Sequence, residues 1–424
     1  MSQIDRLGRD LTVSFADTAA PGTPPYLDDI LRQTARVRQR PRWTFLERLL
    51  QMTLSTNVSA VRGSVPWRTV GALVLLILAL VVGAVLVGSG QRRLPAPFGP
   101  AEAGLVAYSL DGDIVAVDPV TNQQRTIVAG DTADRDPQWS RDGTRLVFER
   151  VDLGLSQLFT VRPDGSGLTA ITPEPTAIMP DADGPTFAFS PDGRAVLYLS
   201  ESRIRIAQTD GSGVRTVETP GLDLVEVAWR PRDGTEISAI GRDGGIYLVD
   251  VRSGAVGALV PPRDGIAVGG VSWSPNGSEL AYYPWSASAE AFTVRARILN
   301  VATKQDRPVD PHGADAFWDG EAVWSNDGQR LVYVRGHTDE YADVTAAVIR
   351  ADGTGRVDTA HGKELNRECC AKFEWAPNDR WILWRPVDTY GSPQGQLLID
   401  PNTGAVTKAP WQAISIPALQ RLAQ

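Results

Sequence analysis

Apolar and polar positions recur in a fixed order along most of the chain, from about residue 105 onward. Each copy begins with an aromatic anchor, passes through a turn that ends in Asp-Gly or Asn-Gly, and leads into an apolar strand. Such a turn between two β-rich runs predicts a hairpin. Six copies are present, the sixth with Asp379 in the usual glycine place, and their anchors are Trp139, Phe189, Trp229, Trp273, Trp324 and Trp375.

Each hairpin is followed by a third apolar run, a second turn such as Asp164–Gly167, and a short fourth run. Four antiparallel strands within about 40–50 residues make one blade of a β-propeller. Leu105–Val128 supplies three strands without an anchor, and Ile414–Ala423 supplies one more. We therefore expect an all-β, seven-bladed propeller whose two ends share the closing blade, or six blades if they do not pair. The anchors are then structural and pack between blades.

The Trp-Ser-Pro-Asp-Gly core of the repeat is best matched at Val271–Tyr282 and Phe187–Tyr198. It resembles the repeat of TolB-type β-propellers, which are related in architecture to WD-repeat propellers. The resemblance covers about 320 residues, and it implies a propeller fold in a bacterial protein. It implies little about activity, since propellers support unrelated functions.

An apolar stretch, Val70–Gly88, contains no charged or polar side chain. As a helix it would span roughly 30 Å, the thickness of the hydrocarbon core, which predicts a transmembrane helix over 69–89. The arginines that precede it favour a cytoplasmic N-terminus. We thus expect a cytoplasmic segment (1–68), the span, a linker (90–103) and an extracytoplasmic propeller (104–424) at the bacterial cytoplasmic membrane.

The segment before the span predicts two short amphipathic helices, Tyr26–Arg40 and Trp43–Met52. Their apolar faces suit either an anionic membrane surface or a cytosolic regulator that docks on residues 1–68. The second arrangement resembles membrane-anchored anti-sigma factors. The common zinc-binding form of that module needs one His and two Cys, whereas every His and Cys of this chain lies beyond the predicted span.

Composition narrows the chemistry further. The net charge of −8 argues against nucleic acid as a partner, although residues 1–68 alone carry ten Arg and six acidic residues. Two adjacent cysteines, Cys369 and Cys370, exclude a disulfide framework and leave either a vicinal disulfide or two thiols. The sequence contains no Gly-x-Ser-x-Gly elbow, and no pattern marks a metal site, a cofactor or a catalytic carboxylate pair.

Three successive blades carry long connections between their second and third strands. Long loops on one side of a rigid scaffold are where binding commonly resides. The candidate ligand-binding residues on them are Trp285, His337, Tyr341 and Tyr390. The expected function is non-catalytic binding of a protein, peptide or envelope glycan, with a signal passed to a cytosolic regulator. The alternatives are a static envelope scaffold and a hydrolase of wall polymers or peptides.

Overall fold

Twenty-eight strands, joined by turns and loops, form the part of the chain that the structure describes. The structure is a computed structural model, and it describes residues 99–152, 155–173, 187–231, 234–286, 295–313, 317–337, 344–359, 370–387, 395–411 and 417–422. All of them belong to the second of two units, Ser89–Gln424. The described residues contain no helix long and apolar enough to cross a membrane, and the predicted span at 69–89 lies outside them.

The strands form seven antiparallel sheets of four strands each, which are the seven blades of the predicted propeller. Blade 1 contains β4 (Ala133–Trp139), β5 (Leu146–Asp152), β6 (Leu155–Val161) and β7 (Thr169–Ala170). Blade 2 contains β8 (Phe187–Phe189), β9 (Ala195–Ser200), β10 (Arg203–Gln208) and β11 (Val214–Val217). Blade 3 contains β12 (Leu224–Trp229), β13 (Glu236–Gly241), β14 (Ile246–Asp250) and β15 (Val256–Val260).

The remaining blades follow the same plan. Blade 4 contains β16 (Ala267–Trp273), β17 (Glu279–Trp285), β18 (Arg297–Asn300) and β19 (Asp306–Pro308). Blade 5 contains β20 (Phe317–Trp324), β21 (Arg330–His337), β22 (Val344–Arg350) and β23 (Val357–Asp358). Blade 6 contains β24 (Cys370–Trp375), β25 (Ile382–Val387), β26 (Leu397–Ile399) and β27 (Val406–Lys408). Blade 7 contains β28 (Ala418–Leu422), β1 (Glu102–Leu110), β2 (Asp113–Val117) and β3 (Gln124–Val128).

Blade 7 confirms the predicted closure between the two ends of the propeller, and with it the count of seven. β28 pairs with β1 in antiparallel register, with Val106 opposite Leu419. The side chain of Gln420 accepts a hydrogen bond from Leu105 N at 3.0 Å and donates one to the Gly143 carbonyl of blade 1 at 2.7 Å. A Cβ on Gly143, whose φ is +67°, would meet the Arg421 carbonyl oxygen at 2.0 Å, so glycine lets the two blades approach.

The turn that follows the anchor repeats one side-chain hydrogen-bond pattern in blades 1, 2, 4 and 5. In blade 1, Ser140 Oγ donates to Asp142 Oδ1 at 2.6 Å, and the same oxygen accepts from Thr144 N at 3.0 Å. Blades 2, 4 and 5 repeat the pair as Ser190–Asp192, Ser274–Asn276 and Ser325–Asp327. Because these side chains satisfy backbone groups locally, the turn forms from nearby sequence alone.

Apolar clusters fill the spaces between neighbouring blades. One cluster joins Leu197 and Ile204 of blade 2 to Ile237 and Val249 of blade 3, and these four side chains are buried. The strand pattern explains this, because alternate side chains point to opposite faces of each sheet and both faces meet a neighbour. The inner strands β4, β8, β12, β16, β20, β24 and β28 are left to line a central channel.

Candidate binding site in the central channel

The six aromatic anchors lie at the C-terminal ends of the inner strands, next to the turns just described. Three indole N–H groups donate to the carbonyl that precedes the anchor position of the preceding blade: Trp139 to Ala418, Trp229 to Ala188, and Trp375 to Val323, at 3.0–3.2 Å. Trp273 donates instead to Ser238 Oγ at 3.0 Å. The anchors therefore bond the blades together across their innermost strands.

The exception among these indoles is Trp324. Its side chain is buried, and its Nε1 has no hydrogen-bond partner among the described residues. A buried donor without a partner lowers stability. Blade 5 is joined to blade 4 without an indole-to-carbonyl hydrogen bond of the kind that Trp375 makes from blade 6 to blade 5. The backbone N–H of Trp324 does reach blade 4, where it donates to Ser272 Oγ at 3.2 Å.

A cavity of about 400 Å³ opens at this end of the channel, and all seven inner strands contribute to it. We call it the anchor-ring cavity. It is lined by three rings of residues, namely the anchors themselves, the residues just before them and the residues two places after them. Leu419 takes the anchor place in blade 7, and the later ring consists of Arg141, Pro191, Pro231, Pro275, Asn326, Pro377 and Arg421.

Three charged side chains line the anchor-ring cavity. Arg141 and Arg421 come from the later ring, and Glu374 lies just before the anchor of blade 6. Burial raises the pKa of Glu374 to about 7, against the opposing effects of the Leu419 N–H and the positive charges of Arg385 and Arg141. Burial and the nearby Arg421 lower the pKa of Arg141 to about 10. Arg141 thus stays charged at neutral pH, where Glu374 titrates.

Two of the ligand-binding residues predicted from loop length, Trp285 and His337, lie at the other end of the blades. Trp285 ends β17 and pairs with Ala267, six residues before the anchor Trp273, which places it roughly 20 Å along the strand from that anchor. Its side chain is 46% exposed. His337 ends β21 and pairs with Phe317, which lies seven residues before the anchor Trp324. Tyr341 and Tyr390 lie outside the described residues, so the predicted ligand-binding group stays a prediction.

Cys370 begins β24 at that same end, opposite Val387. Cys369 lies outside the described residues, so the predicted vicinal disulfide stays a prediction. Among the described residues, no group of three or more His, Cys, Asp or Glu could hold a metal ion.

A cluster of buried ions lies between blades 4 and 5, toward the end that carries Trp285. Asp310 accepts hydrogen bonds from Arg335 at 3.1 Å, Arg356 at 2.7 Å and the Tyr333 hydroxyl at 3.1 Å. Asp319 is fully buried; its Oδ2 accepts from Arg295 at 3.3 Å, while its Oδ1 has no hydrogen-bond partner among the described residues. Burial raises the pKa of Asp319 to about 6.

Repeat reasoning missed Arg141, Glu374 and Arg421 as site residues, although the signal was present. When the copies are aligned on their anchors, the place just before the anchor is uncharged in every blade except blade 6, which has Glu374. The place two residues after the anchor is proline in four blades and arginine in two. Departures from a structural repeat that face a common cavity are candidates for function.

Comparison with known proteins supports the architecture. No protein-family profile matches the sequence, and no curated protein matches it. An oligogalacturonate lyase from Vibrio parahaemolyticus is similar in structure, with a TM-score of 0.53 and 11% identity over 73% of this chain and 86% of that one. TolB from Acinetobacter baumannii gives a TM-score of 0.44 and 11% identity over 80% and 70%. At such identities the likeness concerns fold and not activity.

Proposed function

We propose that this protein is a non-catalytic binding protein whose propeller holds an extended peptide segment of a partner in the anchor-ring cavity. The observation that carries the proposal is the cavity itself. Its volume of about 400 Å³ lies within the range of ligand pockets, roughly 300–1,000 Å³, and seven separate strands converge on it. A rigid ring of strands supplies such a site without loop closure, which lowers the entropic cost of binding.

The lining favours a peptide over a glycan. Glycans offer many hydroxyl groups and need many hydrogen-bond partners. Here the indole N–H groups of Trp139, Trp229 and Trp375 are engaged between blades, and the Ser140 and Ser325 hydroxyls are engaged in turns. What the cavity offers is mainly aromatic and proline surface with a few charged groups, which suits apolar side chains and the ends of a peptide.

In this proposal the predicted span at 69–89 anchors the chain in the bacterial cytoplasmic membrane, with residues 1–68 inside and the propeller outside. Residues 1–68 then contact a cytosolic regulator, and occupancy of the propeller is the input. A static envelope scaffold is the alternative. A pull-down with tagged residues 1–68 from the soluble lysate separates the two, since only the signalling role requires a stoichiometric regulator.

The binding role itself can be tested by selecting peptides from a random displayed library on the full chain in detergent. We expect selected peptides to lose at least about tenfold in affinity when Gln138→Trp fills the cavity, a change of about 1.4 kcal/mol. Gln138 lines the cavity and is half-buried, so a larger ring there occupies ligand space. An unchanged melting temperature would show that the variant is folded.

Trp285→Ala is the matched control, because Trp285 lies at the opposite end of its blade. It should leave the affinity unchanged. If Trp285→Ala abolishes binding while Gln138→Trp does not, the ligand site is on the long loops and the cavity proposal is wrong. Failure to select any peptide would count against peptide binding altogether.

A further inference from the structure

The charged residues of the anchor-ring cavity lie on one arc of the ring. Glu374, Arg421 and Arg141 come from blades 6, 7 and 1, which are consecutive around the propeller. The N–H of Leu419 on β28 donates to Glu374 Oε1 at 3.3 Å, and β28 in turn contacts the turn of blade 1 through Gln420. The three charges therefore share one continuous part of the wall.

The opposite arc is apolar. In blades 2, 3 and 4 the places that correspond to Arg141 hold Pro191, Pro231 and Pro275. The anchors on this arc are Phe189, Trp229 and Trp273, and the residues before them are small and uncharged: Ala188, Ala228 and Ser272. The cavity thus has a charged side and an aromatic side, which complements a ligand with a charged group next to an apolar one.

The sign of the charged arc is positive. The lining of this arc contains two guanidinium groups and one carboxyl, and the positive charge of Arg421 helps to lower the pKa of Arg141. Arg421 is held in place by donating to Asn326 Oδ1 at 2.9 Å and to the Gly99 carbonyl. An anion between these guanidinium groups would relieve their repulsion in a site of low dielectric, where such contacts are strong.

The protonation state of Glu374 determines the net positive charge of this arc. The groups that face it are Arg141 from the turn after β4, Arg385 from β25 and the Leu419 N–H from β28. The ionised carboxyl offsets one of the guanidinium charges, and the protonated carboxyl offsets none. Because burial brings the pKa of Glu374 to about 7, this change falls within the physiological range of pH.

We propose that the charged arc recognises a peptide carboxylate adjacent to apolar side chains, and that protonation of Glu374 strengthens this binding. The inference rests on the proposed function, since it names the ligand chemistry and the regulation of the same cavity. It predicts a protein that holds its ligand more tightly as the pH falls from about 8 to about 6.

Two probes that differ only at the C-terminus test the proposal: N-acetyl-Leu-Leu with a free carboxylate, and the same dipeptide as its amide. Each is titrated into the full chain in detergent at about pH 6 and about pH 8.5, where the free carboxylate stays ionised. We expect the acid to bind at least about tenfold more tightly than the amide at the lower pH, and this preference to shrink at the higher pH.

Three variants assign the effect to residues. Glu374→Gln should bind the acid equally at both pH values, with the affinity that the native protein shows at the lower one. Arg141→Gln should lower the affinity for the acid more than the affinity for the amide, and Arg421 should retain part of the preference. Arg141→Lys, which restores the charge, should recover most of the preference. An unchanged melting temperature shows that each variant is folded.

The outcomes separate this inference from the proposed function. Equal binding of acid and amide would overturn carboxylate recognition while leaving a peptide-binding cavity intact. Acid binding that weakens as the pH falls, or a pH effect that survives Glu374→Gln, would overturn the role of Glu374. If neither probe binds, the inference is wrong. The library selection then tests the proposed function independently.

Discussion

Asp319 and Asp134 occupy the same place in two blades, yet the structure predicts that the same substitution has opposite effects at them. Each lies five residues before its anchor and pairs in register with an arginine of the next strand: Asp134 with Arg150, and Asp319 with Arg335. Arg150 donates to both oxygens of Asp134, at 2.7 and 2.8 Å. Arg335 instead donates to Asp310 at 3.1 Å.

The magnitude for Asp319 follows from its pKa, which burial raises from 3.8 to about 6 despite Arg295 and Arg335. A shift of about two pKa units corresponds to about 3 kcal/mol. Because the folded-state pKa lies above the unfolded value, the folded protein binds this proton more tightly. The contribution of Asp319 to stability is therefore fully present below about pH 4 and is lost as the pH rises through about 6.

Asn cannot ionise, so Asp319→Asn should raise the free energy of unfolding at about pH 8 by up to about 3 kcal/mol, with little change at about pH 4. Asp134→Asn should instead lower it at about pH 8 by about 1.5–3 kcal/mol, because a forked, charge-assisted bond is lost. Urea unfolding of the full chain in detergent, followed by tryptophan fluorescence, measures both variants against the native protein.

Two results would refute this reasoning. One is a loss of stability in Asp319→Asn at about pH 8, which would mean that the Asp319 charge is well compensated by its arginines. The other is a stability gain of equal size at both pH values, which would assign the effect to packing and not to ionisation. Agreement in sign between the Asp319 and Asp134 variants would also contradict the distinction drawn from their hydrogen bonds.

The remaining predictions concern contacts between blades. In urea unfolding, Trp375→Phe should lower the free energy of unfolding by about 1 kcal/mol more than Trp324→Phe does, since of these two indoles only that of Trp375 donates a hydrogen bond across the blade boundary. Equal losses would mean that this bond to Val323 contributes nothing. Asp379→Ala should lower the free energy of unfolding by about 2–3 kcal/mol, because its carboxylate accepts the backbone N–H groups of Asn326 and Asp327 at 2.8 Å and its φ is +56°. Asp379→Asn, which keeps one acceptor oxygen and tolerates that φ, should cost less, and an equal cost would refute the assigned role of the carboxylate.

Asp379 also shows how far the repeat could be interpreted. The sequence indicated that Asp379 takes a glycine place in the sixth turn, and the positive φ agrees with that assignment. Nothing in the sequence indicated that the Asp379 carboxylate accepts a hydrogen bond from Asn326 Nδ2, in the turn of blade 5, at 2.9 Å. That contact joins residues more than fifty positions apart and depends on how closely the two turns approach.

The repeat pattern alone predicts the blades and favours seven with a shared closing blade, and the pairing of β28 with β1 in the structure decides between seven and six. The turns, the alternation of apolar residues and the 40–51-residue spacing are local properties, and free strand edges at Leu105–Val128 and Ile414–Ala423 favour pairing with each other. These signals suffice because each blade satisfies most of its backbone hydrogen bonds internally.

Which charged side chains lie close together follows from the folded ring and not from the repeat pattern. Ring closure brings Arg141, Glu374 and Arg421 into one cavity although they are separated by up to 280 positions in sequence. Within blade 1, Arg150 donates to both oxygens of Asp134. In blade 5 the corresponding Arg335 donates to Asp310, which follows blade 4, and one oxygen of Asp319 has no hydrogen-bond partner among the described residues. Charge interactions depend on distance and burial, and a repeat pattern fixes neither of these across blade boundaries.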